Sequence, residues 1–300
     1  MSKKPTSILL ATVFSLAASG VALAADIGVK APLPAPAPVY NWTGFYVGGN
    51  AGVGLGTFKT DTNVAPGTFA ATIETINGPV PIGATIPGFA GTDFLYPGGF
   101  VGGGQIGYNW QFSPIWVAGL EADFQGADEK DHSTLTNSFD FHAPGIGINN
   151  HVTGSAVTDY SAQIDWFGTV RLRAGYLWGN GTVFSYVTGG LAYGEVKTNG
   201  NSIVSGTVGM PITCCNLFSI THAIGHSEVN TGWVVGTGTE GKLLNFPGWT
   251  YRIEGLYMDL GHLNDTDDPP SVTSVTGGQV TTRTHFTDTI LRAGLSYQFH

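Results

Sequence analysis

Charge is scarce in this 300-residue chain. It carries 12 Lys and Arg and 21 Asp and Glu, so 11% of its residues are charged, against roughly 25% in an ordinary soluble domain. A surface that must stay dissolved in water normally holds more. The formal net charge of −9 argues against nucleic acid as a partner. Long apolar runs are also missing: past residue 25 no stretch approaches the roughly 20 consecutive apolar residues of a membrane helix. The 45 glycines follow no triplet period, which excludes collagen, and the 17 Phe, 11 Tyr and 7 Trp are too many for simple disorder.

The N-terminus reads as an export signal. Lys3 and Lys4 precede an apolar stretch from Ile8 through Ala18, and Ala22-Leu23-Ala24 supplies a small-x-small cleavage pattern, so residues 1–24 are expected to be a removed signal peptide. Alternating prolines at 32, 34, 36 and 38 hold the next segment extended, and residues 25–41 are expected to be a Pro-rich periplasmic spacer. The remainder, 42–300, is expected to form one domain.

That remainder alternates with period two, which places successive side chains on opposite faces of a strand. Ile164, Trp166, Val170, Leu172, Ala174, Tyr176 and Trp178 share one face, whereas Asp165, Thr169, Arg171 and Arg173 share the other. Leu291, Ala293, Leu295, Tyr297 and Phe299 stand opposite Asp288, Arg292, Ser296 and Gln298, and Trp116, Ala118, Leu120, Ala122 and Phe124 stand opposite Glu121, Asp123 and Gln125. The same template predicts eight strands, near 43–58, 98–112, 115–127, 163–178, 182–197, 229–244, 249–262 and 286–299. Ser113-Pro114, Gly179-Asn180-Gly181 and Asn245-Phe246-Pro247-Gly248 are tight turns. The other connections, about 59–97, 128–162, 198–228 and 263–285, are long. Short turns at one end and long loops at the other are the plan of an all-β, eight-stranded antiparallel transmembrane barrel, with the short end periplasmic.

Tryptophan placement agrees with this plan. Trp42, Trp110, Trp116, Trp178 and Trp249 fall beside the short turns or the chain entry, and Trp166 and Trp233 near the long loops, as two aromatic girdles at the membrane interfaces would require. A soluble eight-stranded barrel carries the same alternation with its faces inverted. Low charge, the girdles and long loops at one end favour the membrane form. Backbone groups in lipid must pair internally, so the last strand must close onto the first.

Several stretches carry a resemblance: Thr43-Gly44-Phe45-Tyr46-Val47-Gly48-Gly49-Asn50-Ala51-Gly52, Gly102 through Gln111, Gly119 through Asp123, Arg171 through Tyr176, Tyr186 through Tyr193 and Arg292 through Phe299. Across every predicted strand the sequence resembles the alphaproteobacterial outer-membrane immunogenic proteins, which belong to the opacity-like, porin-type eight-stranded surface antigens. The resemblance implies outer-membrane location, surface exposure, and envelope stabilisation, adhesion or immune interaction; some such proteins bind haemin. It also implies that Gly294, Tyr297 and Phe299 form a C-terminal assembly signal, although His300 follows the terminal aromatic.

Predicted inward positions collect Glu121, Asp123, Asp165, Glu240, Glu254 and Asp288 with Arg171, Arg173, Lys242, Arg252 and Arg292. Six acids against five bases nearly neutralise one another, as enclosed charges must. A packed ion-pair core is the first reading of this set, with a low-conductance pore as its alternative and no catalytic residues assigned. His132, His142, His151, His222, His226, His262 and His285 fall in or beside the long loops. Imidazole ligates transition metals and haem iron, which makes His222 and His226, with the adjacent Cys214 and Cys215, candidates for haemin or metal. No cofactor is expected. The expected function is a non-enzymatic outer-membrane anchor presenting long loops, with a small porin or haemin capture as alternatives. Expected partners are membrane lipid and lipopolysaccharide, the barrel-assembly machinery, and a host or envelope partner at the loops.

Overall fold

The computed structural model describes residues 40–75, 78–142, 151–209, 216–243, 245–267 and 275–299. The expected signal peptide, all but the end of the Pro-rich segment, Cys214, Cys215 and His300 lie outside the described residues. Among the described residues no helix is long and apolar enough to cross a membrane.

Twelve strands follow in chain order: β1 (Gly44–Val64), β2 (Gly67–Thr75), β3 (Gly78–Ile86), β4 (Phe89–Leu95), β5 (Gly98–Gln111), β6 (Trp116–His142), β7 (His151–Trp178), β8 (Val183–Gly209), β9 (Asn216–Lys242), β10 (Trp249–Asp267), β11 (Val275–Gly277) and β12 (Val280–Gln298). Nine of them form one antiparallel sheet in the order β12-β10-β9-β8-β7-β6-β5-β1-β4, and β12 also pairs with β1. That pairing runs from Tyr46 opposite Gln298 to Val64 opposite Val280, so the sheet closes.

The ring is eight strands around although nine take part. β5 pairs with Gly44 to Leu55 of β1 and β4 with Phe58 to Val64, so the two lie in series along one neighbour. Pro97, which cannot donate to a ladder, separates them, and its carbonyl instead accepts the Gly56 N–H at 2.8 Å. β11, β2 and β3 form a separate three-stranded sheet.

Lipid-type alternation follows. Leu172 and Leu191 are each 69% exposed and Ile253 is 64% exposed on the outer face, while Arg171, Arg173 and Arg252 are buried inside. The faces are those of a membrane barrel, not of a soluble one. Positive φ through Gly179, Asn180 and Gly181 makes the tight β7–β8 hairpin.

The long connections are the main departure from the sequence reading. Most of 128–162 and 198–228 continues the neighbouring strands, so β6, β8 and β9 reach 27 residues each and β7 reaches 28. A membrane strand needs about 9–11. These hairpins therefore extend well beyond the apolar band, still paired, with Val157 opposite Ile203 and Ser202 opposite His222.

Candidate functional site

The interior is layered. At the short-turn end Trp42, Val117, Leu177, Phe184 and Tyr186 pack as a floor. Trp42 donates its indole N–H to the Gly181 carbonyl at 2.9 Å, and its ring centroid lies 5.5 Å from that of Phe184. Trp42 was expected in the lower girdle, and the structure corrects this. The residue precedes β1, and the chain entering there folds its indole into the barrel mouth, where the buried N–H finds a carbonyl. Trp110, Trp116, Trp178 and Trp249 do lie outward at the lower end. At the upper end Trp166 stacks on Phe124 with centroids 5.4 Å apart, and Trp233 lies 5.6 Å from Tyr257.

Above the floor sits a charged layer built from β6, β7, β9, β10 and β12. Arg171 donates Nη1 to Glu254 Oε1 at 3.0 Å and Nη2 to Asp123 Oδ2 at 2.9 Å, and it also bonds Glu121. Arg173 reaches Glu121 Oε2 at 2.9 Å and Glu240 Oε1 at 2.7 Å. Arg252 Nη2 lies 2.6 Å from Glu121 Oε2 and 2.7 Å from Glu240 Oε1. Arg292 bonds Glu254 Oε2 through Nε at 2.8 Å and Asp123 Oδ2 through Nη2 at 2.8 Å. Four guanidinium groups thus meet four carboxylates, and the layer is neutral. Tyr46 donates to Glu121 Oε2 at 2.6 Å, Tyr186 to Glu254 Oε1 at 3.0 Å, and the Arg173 guanidinium carbon lies 4.2 Å from the Tyr186 ring centroid. These tyrosines escaped the sequence reading because their rings resemble the lipid-facing aromatics; their even positions within their strands were the available signal.

Three predicted members of the charged set sit elsewhere. A β-bulge between Ile164 and Trp166 shifts the phase of β7, so Ile164 turns inward and is buried, while Asp165 turns out to meet Lys197 Nζ at 2.5 Å. Lys242 ends β9 at the barrel mouth, where its ammonium lies 3.5 Å from the Tyr40 ring centroid. Asp288 is buried but has no basic ion-pair partner among the described residues; its side chain faces Glu129 of β6. Glu129 itself was missed because the predicted strand ended at 127; it continues the odd-numbered inward phase of Glu121, Asp123 and Gln125 into a stretch expected to be a loop. Gly54 makes the room: a Cβ there would lie 2.0 Å from Glu129 Oε1.

Beyond the charged layer the interior turns apolar. Phe58, Phe167, Phe286, Met258, Leu256, Leu260, Ile164, Val196 and Ile290 are among the buried side chains of one continuous cluster. Phe58 and Phe286, on paired strands, have centroids 4.7 Å apart. Leu95, Tyr160, Ala162 and Leu263 of this cluster come from stretches expected to be loops, and its other members from the predicted strands.

The remaining candidates are scattered. His226 is exposed, with Nε2 3.9 Å from Glu228 Oε2. The His222 backbone belongs to β9, its side chain lies outside the described set, and no group of three or more His, Cys, Asp or Glu side chains is assembled for a metal among the described residues. Gly294 faces inward, where a Cβ would lie 2.6 Å from the Gly49 carbonyl oxygen, while Tyr297 and Phe299 face outward with centroids 5.1 Å apart.

Comparison with known proteins fits this architecture. Residues 9–299 match the family model for the outer membrane protein beta-barrel domain. The chain is 34% identical over 296 residues to the 31 kDa outer-membrane immunogenic proteins of Brucella melitensis and Brucella suis, covering 98% of this chain and 99% of each relative. Among solved structures, the attachment invasion locus protein of Yersinia pestis aligns at 13% identity and a TM-score of 0.24, covering 82% of this chain and 99% of that one. The outer membrane protease OmpT of Escherichia coli aligns at 12% identity and a TM-score of 0.23, covering 84% of this chain and 97% of that one. The chain belongs to the outer-membrane β-barrel protein family, and it is an outer-membrane surface protein of that family.

Proposed function

We propose that the protein is a closed, non-catalytic anchor in the outer membrane that holds long β-hairpins above the lipid for contact with envelope components or other surfaces. The observation that carries this reading is the filled interior: an aromatic floor, a neutral ion-pair layer and an apolar layer succeed one another along the barrel. A porin needs a continuous polar path, and Phe58, Phe167, Phe286 and Met258 lie across any such path. Catalysis needs a reactive group open to substrate, whereas Glu121, Asp123, Glu240 and Glu254 are each buried and held by arginine.

The same reading has residues 1–24 removed on export, residues 25–41 in the periplasm and 42–300 as the barrel. Lipid and lipopolysaccharide surround the outer face, and Gly294, Tyr297 and Phe299 serve the assembly machinery. The naming of the Brucella relatives as immunogenic supports exposure of the upper hairpins.

Epitope insertion tests the orientation and the presentation together. A tag placed in the β8–β9 connection should bind antibody on intact cells, and a tag in the 245–248 turn should bind only after the outer membrane is opened. The reverse pattern, or neither tag reached on intact cells, would overturn the proposal.

A further inference from the structure

Outward-facing groups just above the upper aromatic girdle include a pair of histidines. His262 of β10 stands directly opposite His285 of β12 in the antiparallel register. Their rings are nearly parallel, 9° apart, with centroids separated by 4.3 Å. His285 Nε2 lies 3.0 Å from Asp259 Oδ1. Three groups of the types that bind transition metals therefore occupy one patch of the outer surface.

A backbone irregularity brings them together. In an uninterrupted strand Asp259 and His262 would point to opposite faces. A bulge between Asp259 and Gly261, with Gly261 at a φ of 75°, inserts one residue and turns both side chains outward. Leu260 and Leu263 on either side are buried inside, which fixes the phase. Asp259 Oδ1 also accepts the Gly261 N–H at 2.8 Å, so the bulge orients the carboxylate as well.

We propose that Asp259, His262 and His285 form a surface site for a divalent transition-metal ion of the zinc class. Ligands about 2.0–2.2 Å from one zinc ion lie about 3.3 Å apart in tetrahedral geometry. The Asp259 to His285 separation of 3.0 Å is already close to that value. With their rings stacked and their nitrogen lone pairs in nearly parallel planes, the imidazoles reach it only when at least one side chain changes torsion to turn a ring nitrogen towards the ion, and a water or other oxygen donor fills the fourth position. No trio of donors is closed around a point before metal arrives, in keeping with the parallel rings.

The surrounding charge permits a cation. Lys59 of β1 stands opposite His285, but its ammonium is held by Asp61 Oδ2 at 2.9 Å, and Arg283 stands opposite Asp61 in the same pair of strands. This site is separate from His222 and His226, and from the closed interior.

Zinc titration of the full folded chain, purified from outer membranes in detergent and stripped with a chelator, tests the site against a competing chromophoric chelator. Micromolar zinc should bind the parent, and His262→Gln or His285→Gln should each weaken that binding by about tenfold or more. Asp259→Asn should weaken it less, and His226→Gln should leave it unchanged. Heat-modifiable gel mobility checks that each variant is folded. Zinc should also raise the temperature at which the parent loses its folded mobility, by linking β10 to β12, and should fail to do so in the double histidine variant. Parental affinity in both histidine variants, the same loss in His226→Gln, or no binding by the parent at micromolar zinc would overturn the proposal.

Discussion

Removing Arg171 is the most informative perturbation of the barrel interior. This one guanidinium touches Glu121, Asp123 and Glu254 from a fully buried position. Taking it away leaves four carboxylates facing three arginines between the aromatic floor and the apolar cluster. Three charge-assisted hydrogen bonds at about 1.5–3 kcal/mol each set an upper bound, and Arg252 and Arg292 recover part of the loss because they already contact the same acids. Breaking a buried pair from one side typically costs about 3–5 kcal/mol, and that range is expected for Arg171→Met. The cost should arise from imbalance more than from lost bonds. Adding Asp123→Asn returns the layer to neutrality and should restore about 1.5 kcal/mol or more, although it deletes a further ion pair. Guanidinium unfolding in lipid vesicles, followed by tryptophan fluorescence, measures both variants. A single-variant loss under about 1 kcal/mol, or a double variant as weak as the sum of its parts, would refute a charge-balanced core.

Further expectations concern the inner wall and the upper hairpins. Gly189 and Gly190 are neighbours on β8 with opposite outlooks: a Cβ at Gly190 would lie 2.0 Å from the Val170 carbonyl oxygen, whereas one at Gly189 meets nothing nearer than 3.6 Å. Gly190→Val should cost about 3 kcal/mol and lower the folded yield, while Gly189→Val on the lipid side should change stability by about 0.5 kcal/mol or less; equal effects in the same unfolding assay would contradict the assigned faces. Hydrogen bonds from Thr92 and Lys59 hold the Asp61 carboxyl below the usual carboxylate range. Its contribution is present above the ordinary carboxylate pKa and is lost as pH falls through the depressed folded value. Amide protection of β4, corrected for intrinsic exchange, should therefore drop as pH falls below the ordinary carboxylate range in the parent and much less in Asp61→Asn; matching profiles would remove Asp61 as the clasp between β1 and β4.

The membrane half of the barrel was legible because lipid demands a strict contrast between faces. Leu172 beside Arg171 and Arg173, or Leu295 beside Ser296, declares the alternation without help. Above the lipid that contrast fades. Ala156, Thr158, Tyr160 and Ala162 alternate inward against Ser155, Val157, Asp159 and Ser161, but small and hydroxyl-bearing residues on both faces hide the period. Bulges did further damage. Those in β7 and β10 each insert a residue and invert the phase that a fixed two-residue template assumes, which misplaced Asp165 and obscured that Asp259 and His262 share a face. Glu129 instead keeps the phase of Glu121 and Asp123 and was missed because the predicted strand ended at 127. Trp42 was misread for another reason: an aromatic beside a turn can cap a barrel mouth as well as line an interface, and composition does not separate the two uses.

Single-channel recording of the protein, purified from outer membranes and inserted in a planar bilayer, tests the closed barrel most directly. With Trp42, the four arginine–carboxylate sets and the Phe58–Phe286 layer stacked along the interior, the folded chain should give no stable openings. Reproducible conductance steps from a verified folded barrel, altered when Arg171 or Arg173 is replaced, would contradict the account and make the charged layer part of an ion path.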